Sequence, residues 1–289
     1  VTMNIATDAP KRPALRYYGG KWNLAPWIIS HFPPHKNYVE PCGGAASVLL
    51  QKPRSPLETY NDLDGNVVNF FRVLRDKPEE LIRQIELTPW SRDEFEICRN
   101  PSTEPLENAR RFYVSATMGM GRSPFDKTTS PRFVTDCRLM YSLTSVQISY
   151  KTIVHLYGIA ERLNAVQIEN DDCVKIIQRF DNDGSLIYFD PPYAMSTRTG
   201  GAGYHEYEFS DLDHIKASEV LKQCFGYVIV NGYSCQLYTD LYESYGWRRV
   251  DKEAQVSGGG KRIESLWLSP RTWNALQNDY SDLGLFAST

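Results

Sequence analysis

Short apolar runs that end in chemically loaded turns, each followed by a segment of helical period, constrain this chain more than any other feature. Tyr38-Val39-Glu40 runs into Pro41-Cys42-Gly43-Gly44-Ala45-Ala46-Ser47, and Ala45 to Leu50 then reads as helix. Leu57-Glu58-Thr59-Tyr60 ends at Asn61-Asp62, after which Val67, Val68, Phe70, Phe71 and Leu74 share one helical face. The alternation returns with Val166-Gln167-Ile168 before a helix around Cys173 to Phe180, with Ser185 to Phe189 before Leu212 to Phe225, and with Tyr227 to Val230 before Gln236 to Tyr245. Such a pattern predicts an α/β fold: a mostly parallel, Rossmann-like sheet with right-handed crossovers and helices on both faces. Two closing strands, Arg248 to Val256 and Arg262 to Leu268, flank Gly258-Gly259-Gly260 and predict an antiparallel hairpin at one edge.

The rhythm is interrupted once. From about Glu86 to Lys151, Pro89, Pro101, Pro105, Pro124 and Pro131 punctuate a Ser/Thr/Arg-rich stretch with short helical candidates. The expected organisation is therefore a polar tail over 1–16, a catalytic domain formed by 17–85 and 152–270, an inserted, mainly helical lobe over 86–151, and a weak helix or tail over 271–289. With 289 residues, 42% of them hydrophobic, the chain can bury one substantial core. Its apolar runs are too short to cross a bilayer, and no charged-then-apolar leader is apparent, so a soluble protein without a membrane partner is expected. Six cysteines without a C-x-x-C pair, and five histidines without ligand spacing (His31, His35, His155, His205 and His214), predict no metal site and a reducing cytoplasm.

In an open parallel sheet, ligands bind outside the carboxyl ends of the strands, so the residues just after each strand carry the functional weight. The glycine turn after Glu40 lets a ligand approach the backbone. Asp62 stands 22 residues beyond Glu40, near the ~20-residue offset at which an acid meets ribose hydroxyls. Together they suggest an adenosine-bearing cofactor, although a tight turn followed by a helix cap would have the same sequence. The full G-x-G-x-x-G fingerprint is absent, which argues against a nicotinamide oxidoreductase.

Asp190-Pro191-Pro192-Tyr193 is the sharpest signal. Two prolines stiffen the exit from a buried strand, fix the Asp190 carboxylate and the Pro191 carbonyl as acceptors, and set an aromatic ring beside them. The amino nitrogen of adenine or cytosine is a poor nucleophile because its lone pair is delocalised into the ring. Fixed acceptors for its hydrogens favour a pyramidal nitrogen able to attack a methyl sulfonium, with Tyr193 stacking on a base taken out of the helix.

These motifs, together with Tyr17-Tyr18-Gly19-Gly20-Lys21, Ile168-Glu169-Asn170-Asp171-Asp172, Gly232-Tyr233 and Leu237-Tyr238, stand in the order found in Dam-type adenine-specific DNA methyltransferases, which the chain resembles from about Tyr17 to Leu268. The resemblance implies S-adenosyl-L-methionine as cofactor, double-stranded DNA as substrate, and a bacterial cytoplasm, or that of a phage host, as the place of action. It also implies roles. Tyr17 and Lys21 would contact the cofactor, Gly43 and Gly44 would admit its methionine portion beside Glu40, and Asp62 would hold its ribose. Asp171 or Asp172 would lie near its adenine, and Asp190 to Tyr193 would hold the target base, with Asp190 also bordering the cofactor. The family usually has Phe where this chain has Cys42.

Pro41-Cys42 also matches the nucleophile of cytosine carbon-5 methyltransferases, but in this turn it is expected to pack rather than react. DNA contacts are expected from Arg110, Arg111, Arg122, Lys127, Arg132 and Arg138, interleaved with Phe112, Tyr113, Phe125, Phe133 and Tyr141. A solvated basic face above a small aromatic core would read the same way. Arg198 lies in the Thr197 to Gly203 segment, which is expected either to close over a flipped base or to be a passive loop. Methylation of a cytosine amino group or of RNA, and a regulator without turnover on the same scaffold, are the alternatives.

Overall fold

A computed structural model describes residues 9–17, 19–119, 124–125, 130–131, 153–197, 207–256 and 260–282. Seven strands form one sheet: β1 (Asn37–Glu40), β2 (Leu57–Asn61), β3 (Val166–Glu169), β4 (Ser185–Phe189), β5 (Tyr227–Gly232), β6 (Arg248–Val256) and β7 (Gly260–Leu268), in the order β3-β2-β1-β4-β5-β7-β6. The pairs β1–β2, β2–β3, β1–β4 and β4–β5 are parallel, and only β7 runs against its neighbours. The strand order reverses between β1 and β4, so their carboxyl ends open the crevice at the topological switch point.

The two-residue period of a strand divides the core into two layers. Tyr38, Tyr60, Leu186, Tyr188 and Ile229 face one side, whereas Val39, Ile187, Phe189, Val228 and Val230 face the other. The first side is covered by α1 (Ala25–Ile29), α2 (Gly65–Asp76), α3 (Pro78–Leu87), α5 (Pro105–Met118), α6 (His155–Leu163) and the Leu276 face of α10 (Pro270–Asp282). α7 (Cys173–Phe180), α8 (Asp211–Gln223) and α9 (Gln236–Leu241) cover the second, while α4 (Arg92–Cys98) packs on α5 around Phe95, Val114 and Met118. In α2, the Asp64 side chain caps the first turn at Asn66 N, and Val67, Val68, Phe70, Phe71 and Leu74 are all buried. Each such large side chain contributes roughly 1.5–3 kcal/mol.

Four expectations are corrected. Ala14 and Leu15 are core residues, and the Pro13 carbonyl lies 3.0 Å from His155 Nε2, so the packed chain starts ahead of Tyr17. Residues 45–50 form a single helical turn because Gly44 (φ +47°) and Ala46 (φ +53°) take left-handed backbone that no helix continues. The stretch from 86 onward holds α5, whose 14 residues pack Phe112 and Tyr113 on Phe70 of α2, and α3 crosses the expected boundary at 85–86. α10 is tied to the sheet by Thr272 Oγ1, which accepts from Val228 N at 2.9 Å. The expected antiparallel hairpin closes one edge of the sheet, with β7 between β5 and β6, which places Ser265 opposite Gly232 and brings Glu264 beneath the crevice.

Candidate active site

The glycine turn at the end of β1 is shaped by β2. A Cβ on Gly43 would fall 2.2 Å from the Tyr60 ring, and one on Gly44 would fall 3.2 Å from the Tyr17 ring. Only glycine fits, and the result is a cradle whose floor is main chain. The turn is pinned by Gly43 N to Asn61 O at 2.8 Å and by Tyr60 Oη, which donates to Gly44 O at 2.7 Å. Asp62, just past β2, accepts from Gly44 N at 2.8 Å and from Asp64 N at 2.9 Å. Burial pushes its carboxyl up to about 6 against the pull of those N–H groups.

Asn61 joins three strand ends. Its Nδ2 donates to Pro41 O at 2.7 Å and to Asp171 O at 3.0 Å, while its Oδ1 accepts from Asp171 N at 2.9 Å. The Asp171 carboxylate turns to Lys175 and Arg179 at the rim, and the backbone N–H of Asp172, ahead of those cations, holds it below the usual range. Asp172 instead caps α7 at Val174 N and Lys175 N. Glu40 is buried at the end of β1, accepting from Tyr38 Oη at 2.8 Å and Leu49 N at 3.1 Å. Burial above all, helped by nearby Asp190, pushes it up to about 8.

Across the switch point, Asp190 follows β4. Its Oδ2 lies 3.1 Å from Lys21 Nζ, and its Oδ1 accepts from Asn231 Nδ2 at 3.0 Å. Burial raises the Asp190 carboxyl, and Lys21 and Asn231 oppose that rise. Lys21 also donates to Gly19 O at 2.7 Å and stands 4.7 Å from the centre of the Tyr193 ring. Pro191 is buried and Pro192 half-buried. The Tyr193 hydroxyl donates to Glu264 Oε2 at 2.7 Å and accepts from Asn231 Nδ2 at 2.7 Å. Tyr233, half-exposed after β5, meets the Tyr193 ring edge-on at 4.6 Å.

The structure thus brings together Tyr17, Lys21, Glu40, Gly43, Gly44, Asp62, Asp190 and Tyr193, with Asp171 and Asp172 at the rim. It adds Asn61, Asn231, Tyr233 and Glu264, to which the sequence reading gave no role. Asn61 and Asn231 stand at strand ends, the one signal that could have found them; nothing local marks Glu264. Cys42 faces Cys173, and the hydrogen bond between the thiols, with burial, pushes Cys42 well above the ordinary thiol range. A thiol so held is a poor nucleophile.

Arg110 bonds Glu107, Glu94 at 2.7 Å and Thr88, and Arg111 bonds Glu107 at 2.7 Å and Asn100 O. The Arg110 guanidinium therefore ties α5 to α4, and that of Arg111 ties α5 to the loop before it. Arg122, Lys127, Arg132, Arg138 and Arg198 lie outside the described residues, as do Phe133 and Tyr141. Among the described residues there is no group of three metal-ligating side chains, and no helix is long and apolar enough to cross a membrane.

A family model described as D12 class N6 adenine-specific DNA methyltransferase matches residues 17–256. The chain is 25% identical over 279 residues to the Type II methyltransferase M1.LlaDCHI of Lactococcus lactis subsp. cremoris, covering 86% of this chain and 90% of that one. It is 24% identical over 264 residues to a DNA adenine methylase of Haemophilus influenzae (85% and 88% covered). It is 22% identical over 284 residues to that of Escherichia coli (88% and 94% covered).

Proposed function

This chain belongs to the D12 class N6 adenine-specific DNA methyltransferases, and on that premise we propose that it moves a methyl group from S-adenosyl-L-methionine to the exocyclic amino nitrogen of an adenine flipped out of double-stranded DNA. The observation that carries the reading is the half-buried Asp190, held between Lys21 and Asn231 across the switch point from the Gly43-Gly44 turn.

The residues present fit the cofactor. The glycine turn, packed against the Tyr60 and Tyr17 rings, would hold the methionine portion on its main chain, Asp62 offers carboxylate lone pairs to ribose hydroxyls, and Lys21 offers an ammonium to a carboxylate. When bound, S-adenosyl-L-methionine supplies an electrophilic methyl group on a sulfonium. Asp190 then accepts an amino hydrogen of the target base, turning the nitrogen lone pair out of conjugation with the ring. Lys21 and Asn231 oppose the rise that burial gives the Asp190 carboxyl, and the ion pair with Lys21 at 3.1 Å presents it as an acceptor. Tyr193 and Tyr233 provide aromatic surfaces for the base. Direct in-line transfer follows from the chemistry at hand, since the Cys42 thiol is held protonated beside Cys173. Orientation and exclusion of water supply most of the rate.

DNA contact is assigned to the lobe and the 198–203 segment, through Arg122, Lys127, Arg132 and Arg198. Arg110 and Arg111 would contribute only by giving up carboxylate partners. The cytoplasm of a bacterial cell, or of a phage host, is the place of action that goes with this reading. The test is incubation with isotope-labelled S-adenosyl-L-methionine and unmethylated duplex DNA, followed by nucleoside mass spectrometry. Labelled N6-methyldeoxyadenosine is expected. Methylated deoxycytidine, or no product from protein that binds cofactor, would overturn the reading.

A further inference from the structure

The Tyr193 hydroxyl has one hydrogen and stands within reach of two carboxylates. It gives that hydrogen to Glu264 Oε2 at 2.7 Å, although Asp190 is also within hydrogen-bonding reach. Its oxygen is thereby left to accept from Asn231 Nδ2 at 2.7 Å, and the same amide nitrogen donates to Asp190 Oδ1 at 3.0 Å. The chain of donors runs in one direction only. Asn231 keeps that direction at a cost: its Oδ1 is buried without a partner. Flipping the amide would set a carbonyl oxygen against both the tyrosine oxygen and the Asp190 carboxylate, so the orphaned atom is the better compromise.

Glu264 sets the direction. It lies on β7, 6% exposed, with Lys21, Tyr233, Tyr193 and Asp190 around it. Without its carboxylate, the hydrogen of Tyr193 turns to the remaining acceptor in reach, Asp190. A lone pair meant for an amino hydrogen of the base is then occupied.

Resting on the methyl-transfer reading above, we propose that Glu264 is a positioning residue for the reaction, acting through the Tyr193 hydroxyl to keep Asp190 open to the target amino group. Nothing local in the sequence marks it, because Glu264 reaches the site only through the pairing of β5 with β7.

The test compares wild type with E264A, E264Q, Y193F and the double variant E264A/Y193F. It uses polymerase-amplified, unmethylated duplex DNA and measures kcat for methyl transfer beside the cofactor Kd from calorimetry. E264A should lower kcat about tenfold, the equivalent of one lost hydrogen bond of about 1.4 kcal/mol, with cofactor Kd within about twofold. E264Q keeps an oxygen that accepts from Tyr193 and should return kcat to within about threefold of wild type. Y193F has no hydroxyl hydrogen to reach Asp190, so the double variant should match Y193F and exceed E264A. An E264A enzyme with unchanged kcat, an E264Q as impaired as E264A, or a double variant no better than E264A would each overturn the proposal. If E264A does not fold, E264D, which draws the acceptor back by one methylene, takes its place: unchanged kcat overturns the proposal. Absence of product from the wild-type enzyme would instead overturn the methyl-transfer reading, and this inference with it.

Discussion

On the β1–β2 side of the switch point, the carboxylate of Asp62 is held by the main-chain N–H groups of Gly44 and Asp64, one to each oxygen. On the β4–β5–β7 side, Asp190 is held by the side chains of Lys21 and Asn231, and Tyr193 by Asn231 and Glu264. The first half is a rigid backbone cradle, suited to a ligand of one fixed shape. The second is a network whose donors and acceptors are set by side chains from four separate stretches of sequence, suited to holding a reacting group in one protonation and hydrogen-bonding state. The difference assigns binding to one half and chemistry to the other.

The largest expected effect comes from breaking the side-chain half. Asp190→Ala removes a strand-end acceptor and no core volume, so the protein should fold while kcat falls by about 100- to 1000-fold, the loss seen when a preorganised charge-stabilising group is removed. A rapid-quench assay of labelled methyl transfer, with circular dichroism as the folding control, checks it. Next is the backbone half. Asp62→Ala should weaken cofactor binding by about 10- to 100-fold, as expected for charge-assisted hydrogen bonds, with kcat at saturating cofactor nearly unchanged; isothermal titration gives the Kd.

Gly43→Ala attacks the cradle itself. Its methyl would overlap the Tyr60 ring, and urea unfolding should show a stability loss of about 1–3 kcal/mol together with weaker cofactor binding. The last effect is one of pH on stability and lies on the seam between the halves, at Glu40. Its folded value of about 8 exceeds the ordinary carboxyl value of 4.5, so folding favours its protonated form. That contribution is fully present below 4.5 and is lost as pH rises through about 8, with a slope of at most about 1.4 kcal/mol per pH unit. Urea melts of wild type and Glu40→Gln across this window should diverge, the glutamine variant lacking the decline; parallel curves would remove Glu40 as the titrating group.

The same contrast explains what could be read in the sequence. Gly43, Gly44, Asp62 and Asp190 each stand at the end of an apolar strand, where a local pattern and the rule for parallel sheets suffice to place them. The sheet itself was legible for the same reason. Glu264 sits within a strand, and only the antiparallel insertion of β7 beside β5 turns it into the partner of Tyr193, a contact across 71 residues. α5 was hidden differently: its buried face includes Asn108, Ala109 and Ser115 beside Phe112 and Tyr113, so the apolar stripe is interrupted by small and polar side chains. Ala46 shows the reverse error, a good helix former whose left-handed backbone, imposed by the turn, prevents the helix its neighbours suggest.

The division of labour is tested most directly by measuring, on one preparation each of wild type, Asp62→Ala and Asp190→Ala, the cofactor Kd by calorimetry and the single-turnover rate of methyl transfer at saturating cofactor. The Asp62 variant should lose affinity and keep its rate, and the Asp190 variant should lose its rate with Kd within about tenfold of wild type. If the Asp190 variant loses its activity entirely through Kd, or the Asp62 variant loses rate at saturation, the two halves do not divide binding from chemistry and the account is wrong.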